Sequence, residues 1–123
     1  MKVMIDPGHA GRNIDPGAVN QETGLQEADV ALAVSRFLET ELTRAGHEVK
    51  LTRTEWEQAE TDDLEYRTSL ANDWEADLFV SIHCNSAVNQ SAKGYEVWTS
   101  PGDAESDVLA TCIYAQIAME FPD

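Results

Sequence analysis

The chain has 123 residues and carries 23 acidic side chains against 8 basic ones, a formal net charge of -15 at pH 7. This charge argues against a nucleic-acid partner, because binding phosphates requires clustered lysines and arginines. The longest apolar runs are strand-sized, so we predict no transmembrane segment, and we expect the first residues to form a strand and not a signal peptide. The length predicts a single domain over residues 1–123.

Two interpretations of the acidic composition are open. A large net charge suits a protein that works in high salt, where screening shortens the reach of self-repulsion. The alternative is an ordinary acidic surface, offset by a partner domain. Adaptation to salt predicts greater stability in molar salt than in low salt, and the opposite result would count against it.

The first third of the chain alternates between strand and helix patterns. An apolar run at residues 1–5 predicts a strand, which breaks at a turn and leads to His9. From Glu27, apolar side chains at helical spacing predict a helix that stops at Gly46. These apolar positions, with one charged intrusion at Glu41, are Val30, Ala33, Val34, Phe37, Leu38, Leu42 and Ala45. Residues 47–52 then alternate with the period of a strand that is half covered on one face.

The loop before this helix is unusually long. It runs over residues 7–26, whereas a strand and its helix are usually joined by roughly 2–6 residues. Because long ordered connections more often carry function than short ones, this loop favours a site beside His9.

A looser helical pattern precedes the most apolar strand of the chain. Thr61, Asp62 or Asp63 can provide the N-cap of this second helix. The apolar stripe that follows is less regular than that of the first helix. It leads into the apolar run at residues 77–82, which we predict to be a strand that delivers His83 at its end.

The last part of the chain is predicted to add one strand and one helix. After a polar loop, residues 94–99 alternate as a strand does, and a Ser-Pro-Gly turn ends them. Alternation places Glu96 and Trp98 on the same face of this strand. Either Asp103 or Ser106 can start the final helix.

The order of these elements predicts the fold class. Strands that alternate with helices indicate βα units around a mainly parallel sheet. We therefore predict an α/β fold with three layers, in which helices flank a mixed, mostly parallel sheet, as in phosphorylase/hydrolase-like folds. Ligands of such sheets bind beyond the carboxyl ends of the strands. His9 and His83 both follow predicted strands, so both lie at that edge.

Two histidines and one glutamate form a candidate metal site. Glu27 begins the helix fed by the loop after His9, so the three side chains of His9, Glu27 and His83 can converge without distorting any element. Two imidazoles and one carboxylate hold Zn²⁺ and leave one coordination position open for water. Asp6 or Asp29 can hold a ligand imidazole through its second N–H, as carboxylates beside metal ligands do. For Asp6, capping backbone N–H groups of the turn is the alternative.

An open position for water is what hydrolysis requires, and two functions other than metal-dependent hydrolysis are also open. Two histidines and a carboxylate also bind the iron of non-haem oxygenases, although the strand–helix alternation weighs against that class. The other rival is a zinc-bearing module that binds its ligand without turnover. Metal analysis separates iron from zinc, and an activity assay separates cutting from binding.

Three segments resemble the zinc-dependent N-acetylmuramoyl-L-alanine amidase family. Its three metal-ligand motifs resemble residues 5–9 (IDPGH), 27–30 (EADV) and 81–85 (SIHCN). Two further segments of the family resemble residues 67–72 and 94–97. The resemblance covers nearly the whole chain. It implies that one zinc ion is bound by His9, Glu27 and His83. The implied substrate is peptidoglycan, cut at the amide between N-acetylmuramic acid and L-alanine.

One departure from the family matters. The family carries a catalytic glutamate on a late strand, in a motif resembling VEVGF, and this sequence has no such segment. We expect the chain to be the leading part of a longer domain, lacking that strand at its C-terminus; the alternative is a complete variant that works differently or not at all. Glu96 is the candidate substitute for the catalytic carboxylate, with a solvent-facing role as the alternative. Asn85, directly after the third ligand motif, is a candidate for hydrogen-bonding substrate.

Location and redox state follow only in outline. The implied substrate predicts an extracytoplasmic or cell-wall autolysin if the protein is secreted, or a phage lysin that stays in the cytoplasm until release. Cys84 and Cys112 are too few to form a disulfide scaffold, and a small packed side chain is the expected role of Cys84. The sequence leaves the oligomeric state open.

Overall fold

The computed structural model describes residues 1–11, 13–55, 64–89 and 91–122. The chain divides into two compact units, Met1–Ser86 and Ala87–Asp123, and each is described by itself; the single domain over residues 1–123 stays a prediction. Among the described residues, unit 1 has three strands and two helices, and unit 2 has one helix. In chain order they are β1 (Lys2–Pro7), α1 (Glu27–Arg44), β2 (Glu48–Leu51), α2 (Leu64–Asp73), β3 (Leu78–Ile82) and α3 (Ala104–Glu120).

The strands of unit 1 form a parallel sheet in the order β2-β1-β3. Strand β1 is central, pairing with β2 from Lys2↔Glu48 and with β3 as far as Pro7↔Ile82. A strand with neighbours on both sides is buried, and Val3, Met4 and Ile5 are at most 3% exposed. The predicted α/β class is therefore confirmed, and the described strands are all parallel.

Helix α1 has the predicted bounds but buries a different face. Its buried side chains are Glu27, Ala28, Ala31, Leu32 and Ser35, whereas Val34 and Phe37 of the predicted stripe are 45% and 75% exposed. Small side chains let the helix approach the sheet closely, and the Ser35 hydroxyl is satisfied by donating to the Ala31 carbonyl at 2.7 Å. The pattern of large apolar residues therefore located the helix but assigned the wrong buried face.

Helix α2 and strand β3 lie where the sequence predicted them. The proposed N-cap residues, Thr61, Asp62 and Asp63, fall outside the described residues. Within α2 the buried side chains are Arg67 and Ala71, so an arginine occupies a core position of the helix. No helix among the described residues is both long enough and apolar enough to span a membrane.

In unit 2, the predicted strand at residues 94–99 is wrong. This segment is not paired with any described strand, and an extended segment without a ladder partner is not a strand. The predicted alternation is nevertheless present, because Trp98 Nε1 donates to Glu96 Oε2 at 3.0 Å on a shared side. Helix α3 starts after Asp103, whose carboxylate accepts the Ser106 N–H at 3.1 Å, which selects Asp103 over Ser106 as the N-cap.

Candidate metal centre

The topology of unit 1 brings three predicted ligands to one edge of the sheet. The paired strands β1 and β3 end together, and the Gly8 N–H continues their ladder by donating to the Ile82 carbonyl at 2.9 Å. His9 and His83 therefore leave neighbouring strands at the same edge. Glu27, the first residue of α1, reaches this edge because the Glu27 N–H donates to the Ala18 carbonyl at 2.8 Å.

The three side chains converge closely. One ligand atom from each of His9, Glu27 and His83 lies within 4.8 Å of the others. Glu27 Oε1 is central, lying 3.1 Å from His9 Nε2 and 3.1 Å from His83 Nδ1. The two imidazoles meet edge to face, with ring centroids 4.9 Å apart. Exposure rises from 6% for the Glu27 side chain to 51% for that of His83, so the site is open to solvent on the His83 side.

Backbone N–H groups hold the Glu27 carboxylate in its charged form. Oε2 accepts from the Ala18 N–H at 3.0 Å, and Oε1 accepts from the Cys84 N–H at 2.8 Å. Burial alone would raise the pKa of Glu27, but these two hydrogen bonds and the neighbouring histidines lower it below its ordinary value. A charged carboxylate with its oxygens fixed from both sides is suited to a cation.

His9 is oriented by a carboxylate that the sequence analysis missed. The Asp15 Oδ2 atom lies 2.7 Å from His9 Nδ1, and Asp15 Oδ1 accepts the Gly17 N–H at 3.1 Å. Burial lowers the pKa of His9, yet the hydrogen bond to Asp15 and the charge of Glu27 outweigh it and raise the pKa. With Nδ1 facing Asp15, the other ring nitrogen, Nε2, faces Glu27 Oε1 and is the nitrogen placed to bind a metal.

Two glycines leave room for the ligand rings. A Cβ on Gly8 would lie 2.5 Å from Cε1 of His83, and a Cβ on Gly17 would lie 2.6 Å from Cδ2 of His9 and 2.8 Å from Glu27 Oε2. Gly17 also has a φ of +67°, a conformation that other residues rarely adopt. The loop before α1 therefore packs its backbone directly against the ligands.

The two carboxylates predicted beside the ligands have different outcomes. Asp6 does not face an imidazole: its carboxylate accepts from Thr52 Oγ1 at 2.6 Å, Ser81 Oγ at 2.7 Å and Arg67 Nη1 at 2.6 Å. We call these four residues the Asp6 cluster. The expectation that Asp6 holds a ligand ring is thus wrong, because an ion pair and two hydroxyls outcompete it.

The predicted role of Asp29, holding a ligand imidazole through its second N–H, stays a prediction. Asp29 is half-buried in the first turn of α1. The ring hydrogen bonds described above go to Asp15 and Glu27. The Asp15-Pro16-Gly17 turn inside the long loop was the available signal for Asp15, since a carboxylate before Pro-Gly is fixed in direction.

The remaining predicted residues lie in exposed segments. Asn85 is exposed, two residues after His83, and its role in binding substrate stays a prediction. Glu96 is exposed in unit 2, and its catalytic role also stays a prediction. Both cysteines are free; Cys84 is half-buried and Cys112 is exposed.

The donor set fits a divalent metal of the zinc type. Two imidazole nitrogens and one carboxylate oxygen are ligands that Zn²⁺ accepts, and three protein ligands leave a fourth position for water. The Asp15–His9 contact supplies the outer carboxylate common beside such sites. The fold and this cluster together describe an α/β protein with a candidate mononuclear metal centre at the carboxyl edge of its sheet.

The chain belongs to the N-acetylmuramoyl-L-alanine amidase family. The sequence model of that family matches residues 3–122, which confirms the resemblance found in the three motifs. A sporulation-specific N-acetylmuramoyl-L-alanine amidase of Bacillus subtilis is 36% identical over 128 residues, covering 100% of this chain and 46% of the relative. AmiA of Salmonella typhimurium is 37% identical over 109 residues, covering 88% of this chain and 35% of the relative.

A solved structure is similar in fold as well. The CwlD amidase of Clostridioides difficile, determined in complex with the GerS lipoprotein, matches with a TM-score of 0.84 at 27% identity. The match covers 96% of this chain and 65% of that one. The chain therefore spans less than half the length of the two curated relatives and about two thirds of this solved structure.

Proposed function

We propose that this chain carries the zinc centre of an N-acetylmuramoyl-L-alanine amidase, which hydrolyses the amide between N-acetylmuramic acid and L-alanine in peptidoglycan. The observation that carries the proposal is the convergence of His9, Glu27 and His83 within 4.8 Å, in a chain of this family. The substrate and the reaction are those named for the relatives, and membership of the family supports their transfer to this chain.

In this proposal each residue has a separate task. His9, Glu27 and His83 would hold the ion, which when bound would lower the pKa of a water molecule and polarise the amide carbonyl. Asp15 keeps the Nδ1 proton of His9 in place, so that Nε2 stays available. The Ala18 and Cys84 N–H groups keep Glu27 charged and fixed in direction.

Amide hydrolysis also requires a proton for the leaving nitrogen. Glu27 is the one carboxylate within the described cluster, and there it acts as a ligand. We propose Glu96 as the proton carrier. The Glu96→Ala variant is then expected to lose most of its activity, by about 10²–10⁴-fold, the range for a general acid–base group. Unchanged peptidoglycan hydrolysis would remove Glu96 from the mechanism.

The direct test is dye release from purified cell walls by the zinc-loaded chain, with and without a chelator. We expect chelator-sensitive release that returns when zinc is added back. His83→Ala is expected to abolish this dye release, because only two of the three proposed ligands remain to hold the zinc ion. His47→Ala is the matched control, since His47 is the third histidine and is not part of the described cluster. Chelator-insensitive release, or equal loss in both variants, would contradict the proposal.

A second candidate function is binding of muropeptide without cutting. It is favoured because Glu27 is the one carboxylate of the described cluster and is a proposed ligand. The cluster therefore supplies no further carboxylate that could carry the proton for cutting. Sedimentation with insoluble cell walls separates the two functions. Chelator-sensitive binding with no soluble product at high protein concentration would support the binding module over the amidase.

The proposed site of action is the cell wall, because the substrate lies there.

Iron is the metal that would contradict the zinc assignment. Metal analysis of the chain purified without added metal is expected to give about one zinc per chain, as one three-ligand centre holds one ion. Stoichiometric iron would instead favour an oxygenase.

A further inference from the structure

A buried arginine ties two of the proposed ligand segments together. Arg53 follows β2 and is 2% exposed. Its Nη2 donates both to the Gly8 carbonyl at 2.9 Å and to the Ala28 carbonyl at 2.7 Å. Gly8 precedes His9 and Ala28 follows Glu27 in sequence. One guanidinium nitrogen therefore spans the backbones that carry the first and second ligands.

A second buried arginine holds the backbone of His9 itself. Arg67 of α2 is 4% exposed. Its Nη2 donates to the His9 carbonyl at 2.5 Å, and its Nη1 donates to the Pro7 carbonyl at 2.9 Å. The Nη1 atom also pairs with Asp6 Oδ1 at 2.6 Å, which anchors the guanidinium to β1. Arg67 thus links the ligand loop to the centre of the sheet.

The backbone that these arginines hold is strained. His9 has a φ of +65°, a left-handed conformation that is uncommon for residues other than glycine. Such a conformation persists only where the surroundings fix it. The carbonyls of Pro7, Gly8 and His9 are all acceptors for Arg53 or Arg67, so the strained segment is held at each peptide.

The chemistry of arginine explains the choice of residue. A guanidinium offers five N–H donors in a rigid plane, whereas a lysine offers one compact point charge on a flexible stem. A planar fork serves several carbonyls at fixed angles, whereas the three donors of a lysine ammonium rotate on a flexible stem. The arrangement is costly, since burial and the nearby Arg67 charge lower the pKa of Arg53, and a purely apolar packing would avoid that cost.

We propose that Arg53 and Arg67 are positioning residues for the metal centre, which set the backbone of His9 and its spacing from Glu27 through the carbonyls of the ligand loop. The inference rests on the proposed function, in that it takes His9, Glu27 and His83 as ligands. It adds two residues that are not themselves proposed ligands, and it gives a role to Arg67, the first residue of the segment 67–72 that resembles the family.

The test is zinc affinity of the full 123-residue chain, measured by competition with a chromophoric chelator below the melting temperature. Arg53→Lys and Arg67→Lys are each expected to weaken zinc binding about 10–100-fold, the effect seen when groups that orient ligands are changed. Arg44→Lys is the matched control, because Arg44 is 70% exposed and pairs with Glu41 on α1. Its zinc affinity is expected to equal that of the wild type.

A destabilised control separates positioning from general stability. Thr52→Val removes a hydrogen bond to Asp6 without removing a donor to a ligand-loop carbonyl. We expect it to lower the melting temperature of the metal-free chain and to leave zinc affinity unchanged. If the lysine variants also lower the melting temperature but bind zinc like the wild type, the arginines are only structural and the inference is wrong.

A double-mutant cycle with His9→Ala tests the route of the effect. If Arg67 acts through His9, then Arg67→Lys weakens zinc binding in the wild type and has little effect in the His9→Ala background. An equal effect in both backgrounds would overturn the inference. A wild-type chain that binds no zinc would instead overturn the proposed function. Each lysine variant is tested separately, so that the inference can still be tested if only one of the two variants folds.

Discussion

The carboxyl edge of the sheet in unit 1 and the helix of unit 2 use their residues in opposite ways. At the sheet edge, charged side chains are buried and hydrogen-bonded: Asp6, Glu27, Arg53 and Arg67 are each at most 7% exposed, Asp6 pairs with Arg67, and Arg53 donates to backbone carbonyls. Helix α3 buries none of its side chains, and apolar residues of unit 2 such as Val108 and Phe121 are 66% and 70% exposed.

This difference shows where the sequence is constrained. A buried charge requires a partner in a fixed place, so a change at one member of the sheet edge leaves another unsatisfied. A half-exposed side chain of α3 has water as an alternative partner. Substitutions at the sheet edge should therefore have large effects on stability and metal affinity, while those in unit 2 should be small and local.

The largest effect is expected from Asp6. Asp6→Asn leaves Arg67 as a buried cation without its carboxylate, and removing one partner of a buried pair costs about 3–5 kcal/mol. Urea unfolding at pH 7 measures this loss. Asp73→Asn is the matched control, because Asp73 is exposed in the last turn of α2, and such surface changes stay within about 0.5 kcal/mol. Equal effects of both substitutions would contradict the comparison.

The same substitution predicts a change with pH. Burial opposes charging of Asp6, but the hydrogen bonds from Thr52, Ser81 and Arg67 lower its pKa below the ordinary value of 3.8. A carboxyl whose folded pKa is lowered stabilises the fold above the unfolded pKa, and this contribution is lost as pH falls through the folded pKa. Wild-type stability should therefore drop below about pH 4 more steeply than that of Asp6→Asn. If the free energies of unfolding of the wild type and of Asp6→Asn fall in parallel as the pH is lowered, Asp6 is not the cause of the acid destabilisation.

The sequence could predict which three side chains meet at the candidate metal site, but not what holds them there. His9, Glu27 and His83 sit at strand ends and a helix start, and local patterns together with parallel topology fix those positions. Asp15 contacts the His9 ring from six residues away, whereas Arg53 and Arg67 act over separations of up to 60 residues through backbone carbonyls. A carbonyl acceptor leaves no trace in residue type, so no motif reveals its donor.

Two further misses have physical causes. The buried face of α1 is set by small residues that fit closely against the sheet, whereas hydrophobic periodicity gives weight to large ones such as Phe37. Residues 94–99 have the alternation of a strand, but a strand also needs a partner, which a pattern within one segment does not specify.

An intermediate effect is expected from Gly17. Gly17→Ala forces a Cβ to within 2.6 Å of the His9 ring and 2.8 Å of Glu27 Oε2, so zinc binding should weaken about 10–100-fold, as when ligand orientation is disturbed. Gly24→Ala is the matched control: its φ is +74°, close to the +67° of Gly17, but nothing lies within 4 Å of its added Cβ.

The pair of glycine variants separates backbone strain from contact with the ligands. Both are expected to lose stability, by about 1–2 kcal/mol, because alanine disfavours positive φ. Only Gly17→Ala should lose zinc affinity in the chelator competition. If Gly24→Ala loses as much, the loop acts through its general stability, and direct packing of Gly17 against the ligands is not the cause.

The smallest effect is expected in unit 2, at the contact of Tyr95 with Tyr114. The ring centroids lie 5.0 Å apart, tilted by 53°, and aromatic pairs of this kind contribute about 0.5–1.5 kcal/mol beyond area burial. Tyr114→Leu keeps helix propensity and removes one ring, so amide exchange in α3 should accelerate by about 2- to 13-fold, which is that energy expressed as an equilibrium ratio. Val108→Ala is the control, since Val108 is 66% exposed. A loss as large as that of Asp6→Asn would show that half-exposed contacts stabilise unit 2 as strongly as buried charges stabilise the sheet edge.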